Sequence, residues 1–214
     1  MFSMSFQDWH LKKSNSICIL SFIFSTCTMH FVKAKTNAEF KQQITCAHLN
    51  PNFAWEISND QIYNRCYAWS AQHSHSKLKN WQYSQAKSDF NNPAIVNSVH
   101  VTYQSSVAVP TFFQSYINND KAWQISVVKD ISLTNNRRMT EITQIDNLPI
   151  VSSMTMHSTY AVRHNRVSAH ITYDLDIPWY LYPVQSLIKT HVSKSIGEYA
   201  TIVLDSACSS KSAM

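Results

Sequence analysis

The clearest pattern lies in the last third of the chain. Val167, Ala169, Ile171, Tyr173 and Leu175 alternate with Ser168, His170, Thr172, Asp174 and Asp176. A period of two puts each set on its own face of a strand. Met154, Met156, Tyr160 and Val162 share one face of the strand before it, and Arg163-His164-Asn165 turns between the two. Residues 139–145 predict another strand. Residues 123–133 predict one with Trp123, Ile125, Val127, Ile131 and Leu133 on one face, interrupted by Lys129. Val99, Val101 and Tyr103 alternate with His100, Thr102 and Gln104, as a half-buried strand does. Beyond Ile177-Pro178 the period changes. Leu181, Val184, Leu187, Ile188, Val192, Ile196, Tyr199, Ile202 and Val203 recur at threes and fours. That spacing predicts a long amphipathic helix over 179–207 with a buried stripe. Gly197 sits inside it, where glycine costs about 1 kcal/mol relative to alanine; a bend and a close contact are the two structural readings.

Upstream the pattern is weaker. Ala38, Phe40, Ile44 and Ala47 stand at roughly helical spacing, which predicts a short helix within 35–50. Residues 53–57 alternate, Ser58-Asn59-Asp60 reads as a turn, and residues 61–69 alternate again, so 53–69 predicts a hairpin. Residues 81–89 fit a strand or a helical turn equally. Pro110 opens a short helix over 111–117, as proline does in a first helical turn. Successive hairpins ending in one long helix give an α+β fold, a curved antiparallel β-sheet wrapped on a long C-terminal α-helix. Such a sheet and helix enclose space suited to an apolar molecule.

Composition narrows the function. Of 214 residues, 44% are hydrophobic and only 14% charged, which fits a folded chain with a sizeable interior. The sequence contains one glycine, so a glycine-rich phosphate loop or dinucleotide fingerprint cannot exist. Turns must rely on Asn, Asp, Ser and Pro. The net charge of +5 is scattered. Arg137-Arg138 is the one arginine doublet and follows the turn signal Asn135-Asn136, so no nucleic-acid footprint is expected. His73-Ser74-His75 lacks a third ligand and reads as a polar loop, and neither a metal nor a cofactor is expected.

The N-terminus reads as a signal for export. Lys12 and Lys13 precede a largely apolar run, residues 17–32, and Ala34 with Val32 two positions before it suits cleavage by signal peptidase. The expected organisation is a signal peptide over 1–34, an N-terminal segment over 35–52, the main domain over 53–208 and a tail over 209–214. Removing 1–34 takes Lys12, Lys13, Lys33 and Asp8, leaving the mature chain mildly positive. Three cysteines then remain: Cys46, Cys66 and Cys208. An oxidising compartment allows one bridge. Cys46 with Cys66 is the expected pair, because that loop closes easily and neither residue lies in the long helix.

The order of elements resembles the START-like, helix-grip superfamily, in particular its StAR-related lipid-transfer branch. The resemblance covers about residues 53–207. Trp55 followed by Ile62-Tyr63-Asn64-Arg65 resembles the opening of bacterial START-type domains. Residues 107–117 resemble the helix after the next strand, Asn119-Asp120-Lys121-Ala122-Trp123 its Asp-then-Trp end, and Leu148-Pro149-Ile150 a proline-containing turn. The family then usually shows Arg-Asp where this chain has Ser152-Ser153, so that charged pair and the ligand chemistry tied to it do not carry over. The resemblance implies a deep apolar cavity for a lipid, sterol or polyketide-like ligand, without a fixed cofactor.

The expected ligand-binding residues are Trp123 and Val127, Met154, Met156 and Tyr160, Ala169, Ile171 and Tyr173 from the sheet, and Trp179, Leu187 and Ile188 from above. Methionine adapts to poorly shaped ligands, and such sites are concave and mostly apolar. The partner is a hydrophobic small molecule or lipid, with transient membrane contact as part of that expectation. Two alternatives stand beside binding or transfer: a START-like cyclase or hydrolase, and an interaction module with a solid core. Glu141, His157, His170, Asp174 and Asp176 are the acids and bases available, but His170, Asp174 and Asp176 share the strand face opposite Ile171 and Tyr173. No catalytic set is assigned.

Overall fold

The computed structural model describes residues 34–47, 49, 53–74, 78–86, 95–108, 122–134, 137–148, 151 and 153–208. Residues 1–33 of the expected signal peptide, the helix over 111–117, His75 and the tail lie outside them, as do the side chains of His73 and Trp179.

The chain folds in the order β1 (Ala34–Thr45), α1 (Asn59–Ser74), β2 (Lys79–Ala86), β3 (Ile95–Ala108), β4 (Ala122–Thr134), β5 (Arg138–Asp146), β6 (Ser153–Arg163), β7 (Arg166–Ile177), a 3-10 turn (Trp179–Val184) and α2 (Gln185–Cys208). The seven strands form one antiparallel sheet in the order β1-β7-β6-β5-β4-β3-β2. A meander from β2 to β7 brings the chain back beside its first strand, and α2 then lies along the inner face. This is a helix-grip arrangement, one antiparallel sheet packed against a long C-terminal helix. The period-two faces of β5, β6 and β7 hold throughout: Met139, Tyr160, Val167, Ile171 and Leu175 are each at most 1% exposed.

Three segments differ from the sequence reading. Residues 34–45 form an edge strand, not a helix. Ala38, Phe40, Gln42 and Ile44 are half-buried, while Asn37, Glu39, Lys41 and Gln43 are exposed. Gln42 hides this alternation because its polar side chain faces inward, where its Nε2 donates to Thr201 Oγ1 of α2 at 3.1 Å. Residues 59–74 are a helix, not half of a hairpin. Ile62, Cys66 and Ser70 recur every four residues and are at most 2% exposed, whereas Tyr63 and Tyr67 stack on each other along its outer side. Residues 53–58 belong to no helix or strand. Trp55 is fixed instead by its Nε1 donating to the Arg137 carbonyl at 3.0 Å, and by packing on Phe53 and Tyr160. Residues 79–86 settle as a strand, and the expected helix over 179–207 divides into the 3-10 turn and α2, with Pro183 inside the turn.

Turns without glycine place other residues at positive φ: Arg137 (52°), Asn147 (62°) and His164 (54°) mark the three β-connections from β4 to β7. Asparagine and histidine tolerate that region better than most side chains. Gly197 answers a close contact. A Cβ there would lie 3.2 Å from two ring carbons of Phe40, so its absence lets α2 settle on β1.

The disulfide joins Cys46 to Cys208, not to Cys66. Cys46 follows β1, Cys208 ends α2, and their Cα atoms stand 5.1 Å apart. Cys66 sits one turn after Ile62 on the buried stripe of α1 and is a free thiol, 1% exposed. Short sequence separation favoured the wrong partner, because the fold brings the two ends of the domain together.

Candidate functional site

The two halves of α2 meet the sheet differently. Ala200, Val203, Leu204 and Ala207 are 0% exposed and form a solid core. Under the first half, Ile188, Val192 and Ile196 stand off from the sheet over a cavity of about 120 Å³. Its sheet wall is Val127 and Ile125 of β4, Ile145 of β5, and Met154 and Met156 of β6. Trp69 of α1 contributes to the wall and donates its Nε1 proton to the Ser195 carbonyl at 3.2 Å, which ties the two helices together. The rim includes the exposed residues Ala108 and His191.

The inner end of this apolar space is polar. Lys129 of β4 and Glu141 of β5 form a salt bridge, with their side chains 3% and 2% exposed. Lys129 Nζ also donates to Thr143 Oγ1 at 3.3 Å and to Tyr199 Oη at 3.1 Å. Thr143 in turn donates to Glu141 Oε1 at 2.8 Å, and the Tyr199 hydroxyl lies 3.2 Å from both carboxylate oxygens. The ammonium lies 4.3 Å from the centre of the Tyr199 ring. Lys129, Thr143 and Tyr199 line the cavity.

Burial works against both charges, but each charge rescues the other. Burial alone would raise the Glu141 carboxyl, yet the adjacent Lys129 charge and the bonds from Lys129, Thr143 and Tyr199 hold it below the ordinary carboxylate value. Burial alone would lower the Lys129 ammonium, yet Glu141 above all raises it. Burial and the Glu141 charge push the Tyr199 phenol well up, so it stays protonated. Behind this cluster Cys66 faces Tyr103, and burial raises its thiol. Two hydroxyls nearby, Ser158 Oγ and Tyr160 Oη, are buried without a hydrogen-bond partner.

The expected site residues separate into distinct groups. Val127, Met154, Met156 and Ile188 line the cavity. Tyr160, Ala169, Ile171 and Tyr173 are buried but outside its lining. Tyr173 fastens the helix instead, its hydroxyl donating to Ser193 Oγ at 3.2 Å. Trp123 is half-buried on the sheet beyond the lining. Leu187 is 56% exposed, a correction to its expected inward position. The buried stripe passes through Ile188 and Ile196, and Leu187 stands about a quarter turn off it.

Of the acids and bases, Glu141 faces inward, while His157 is exposed on the opposite face of β6. His170 is exposed and bonds to Glu39 at 2.5 Å. Among the described residues no three His, Cys, Asp or Glu side chains gather as metal ligands. The Lys129–Glu141 pair was missed because Lys129 reads as a lone interruption of an apolar face and Glu141 as one of several scattered acids and bases. Its signal was the inward parity of both positions, Lys129 among Val127 and Ile131, Glu141 among Met139 and Ile145. The sequence at 152–153 is Ser-Ser, and the buried charged pair comes instead from β4 and β5.

No family model matches the chain, and no curated protein gives a significant match. Solved structures do. The chain is similar to the di-domain ARO/CYC StfQ from the steffimycin biosynthetic pathway, at 11% identity and TM-score 0.44, covering 79% of this chain and 50% of that one. It is similar to dicamba monooxygenase bound to 3,6-dichlorosalicylic acid, at 6% identity and TM-score 0.40, covering 80% and 49%. It is also similar to an uncharacterised protein from Rhizobium leguminosarum, at 9% identity and TM-score 0.39, covering 80% and 97%. The chain spans about half the length of the first two. At these identities and TM-scores the likenesses carry nothing about ligand or chemistry; the helix-grip assignment rests on the strand order and the C-terminal helix.

Proposed function

We propose that this protein binds a small hydrophobic molecule between the sheet and the first half of α2. The observation that carries this reading is the apolar cavity lined by Val127, Ile145, Met154, Met156, Ile188 and Val192. Its volume of about 120 Å³ approaches that of an engineered apolar cavity of ~150 Å³ that takes up benzene. A single ring therefore fits as the chain stands. A longer lipid has to extend past the rim, and a whole sterol requires α2 to move. The ion pair favours binding over chemistry, since Lys129 keeps its proton and so offers no free amine as nucleophile, and Glu141 keeps its charge and so has no proton to donate.

Two tryptophan substitutions test this. Met156→Trp extends into the cavity and is expected to abolish uptake of ethylbenzene or a fluorescent fatty acid while leaving the melting temperature nearly unchanged. Ile171→Trp places the same bulk in the solid core and is expected to cost about 1–3 kcal/mol. Equal destabilisation by both, or undiminished binding by Met156→Trp, contradicts the proposal.

We further infer that the chain is exported. Lys12-Lys13, the apolar run over 17–32 and the Cys46–Cys208 disulfide support this, since such bonds persist in oxidising compartments. N-terminal sequencing of the mature protein is expected to begin near Lys35. An intact Met1 on a soluble cytoplasmic species overturns it.

A further inference from the structure

The cavity's inner wall has a particular hydrogen-bonding balance. All three ammonium protons of Lys129 have partners: Glu141, Thr143 and Tyr199. The Thr143 and Tyr199 hydroxyl protons are both turned to Glu141. The Tyr103 hydroxyl, which also borders the cavity, is buried beside the Cys66 thiol. The donor protons of Lys129, Thr143 and Tyr199 are thus all committed within the protein. The capacity left over is for accepting. A threonine oxygen carries two lone pairs, and Lys129 occupies one at Thr143 Oγ1. The charges at this end cancel, one ammonium against one carboxylate. Nearer the rim, Ser195 can donate or accept, so it does not alter the balance at the inner end.

Resting on the binding function proposed above, we infer that the ligand is a neutral, ring-sized alcohol or phenol whose hydroxyl donates to Thr143 Oγ1. Its ring lies between Met156, Val127 and Ile188. A carboxylate in the same place meets no available donor and faces the Glu141 charge across a short distance. An ether or hydrocarbon leaves the second lone pair of Thr143 Oγ1 without a donor, which weakens binding without abolishing it. A neutral hydroxyl satisfies the wall at one point and leaves the Lys129–Glu141 bridge intact.

Binding of four probes of matched shape to the full mature protein tests this, by calorimetry at pH 7: 4-ethylphenol, 4-ethylanisole, ethylbenzene and 4-ethylbenzoate. The phenol is expected to bind about tenfold more tightly than the anisole and ethylbenzene, the scale of one buried hydrogen bond, and the benzoate not to bind. Thr143→Val is expected to bring the phenol down to the level of the anisole, and Thr143→Ser to retain the preference. If Thr143→Val fails to fold, the probe series on the unaltered protein together with Thr143→Ser still decides. Benzoate binding as tightly as the phenol, or an anisole equal to it, overturns the inference while leaving the cavity as a binding site. If none of the four binds, ethylbenzene included, the binding function itself falls and this inference with it.

Discussion

Replacing Lys129 by methionine is expected to cost about 3–5 kcal/mol of folding stability in urea denaturation at pH 7, the usual penalty for stranding a buried charge. That is a large share of the ~5–15 kcal/mol that holds a typical domain together. Glu141 would keep its burial and lose its main source of compensation. The double variant Lys129→Met, Glu141→Leu is expected to recover most of the loss, because apolar replacement of a whole buried pair is often neutral or stabilising. The pH dependence separates this cause from simple damage. In the unaltered protein the Glu141 carboxyl is held low, so its contribution is fully present above the unfolded value of ~4.3 and fades as pH falls through its folded value. Between pH 5 and 7.5 it adds no slope. In the single variant burial acts unopposed by an ammonium and raises the carboxyl above its unfolded value. The folded state then binds more protons than the unfolded one, and acidifying from pH 7.5 to 5 stabilises it. A loss below ~1 kcal/mol, or the same pH slope in both proteins, shows that the pair is not desolvated as described.

Removing the disulfide is the second large effect. Cys46 and Cys208 are 162 residues apart in sequence, so the bond closes nearly the whole domain into one loop. Chain-entropy reasoning assigns a 100-residue loop ~4.7 kcal/mol, and measured native bonds fall at about 2–5 kcal/mol. Cys46→Ala with Cys208→Ala is expected to lose an amount in that range, with hydrogen exchange rising first in β1 and the last turns of α2. Peptide mapping of the oxidised protein is expected to yield Cys46 linked to Cys208. Cys66 is expected to resist alkylation until the protein unfolds, being buried with its thiol raised by that burial. A Cys46–Cys66 peptide, or unchanged stability on reduction, contradicts this arrangement.

How much of this was legible depended on whether a segment's pattern was set by one neighbour or by several. β6 and β7 bury one face against α2 and present the other outward, so their alternation survives in the sequence and their register with each other follows. β1 and α1 answer to more than one surface. Gln42 faces inward because Thr201 awaits it, and the tyrosines on the outer side of α1 obscured the four-residue spacing of Ile62, Cys66 and Ser70. The cavity half of the site was visible at Val127, Met154, Met156 and Ile188. Its polar end was not, because Lys129 and Glu141 only make sense together and their pairing is a fact of strand register, Lys129 lying opposite Thr143 and Ile131 opposite Glu141.

The pairing of β1 with β7 also sets the order in which this molecule can assemble. Local hairpins from β2 to β7 can form as each second strand appears, but β1 is made first and its only strand partner among the described residues is made last. Until then an edge bearing Phe40 and Ile44 has nothing to pair with, and such unpaired edges invite association between chains. Closure across so long a loop carries its entropic cost before any contact repays it. The pairing of β1 must therefore wait for the C-terminal end to return, and a chain truncated before β7 leaves β1 without its strand partner.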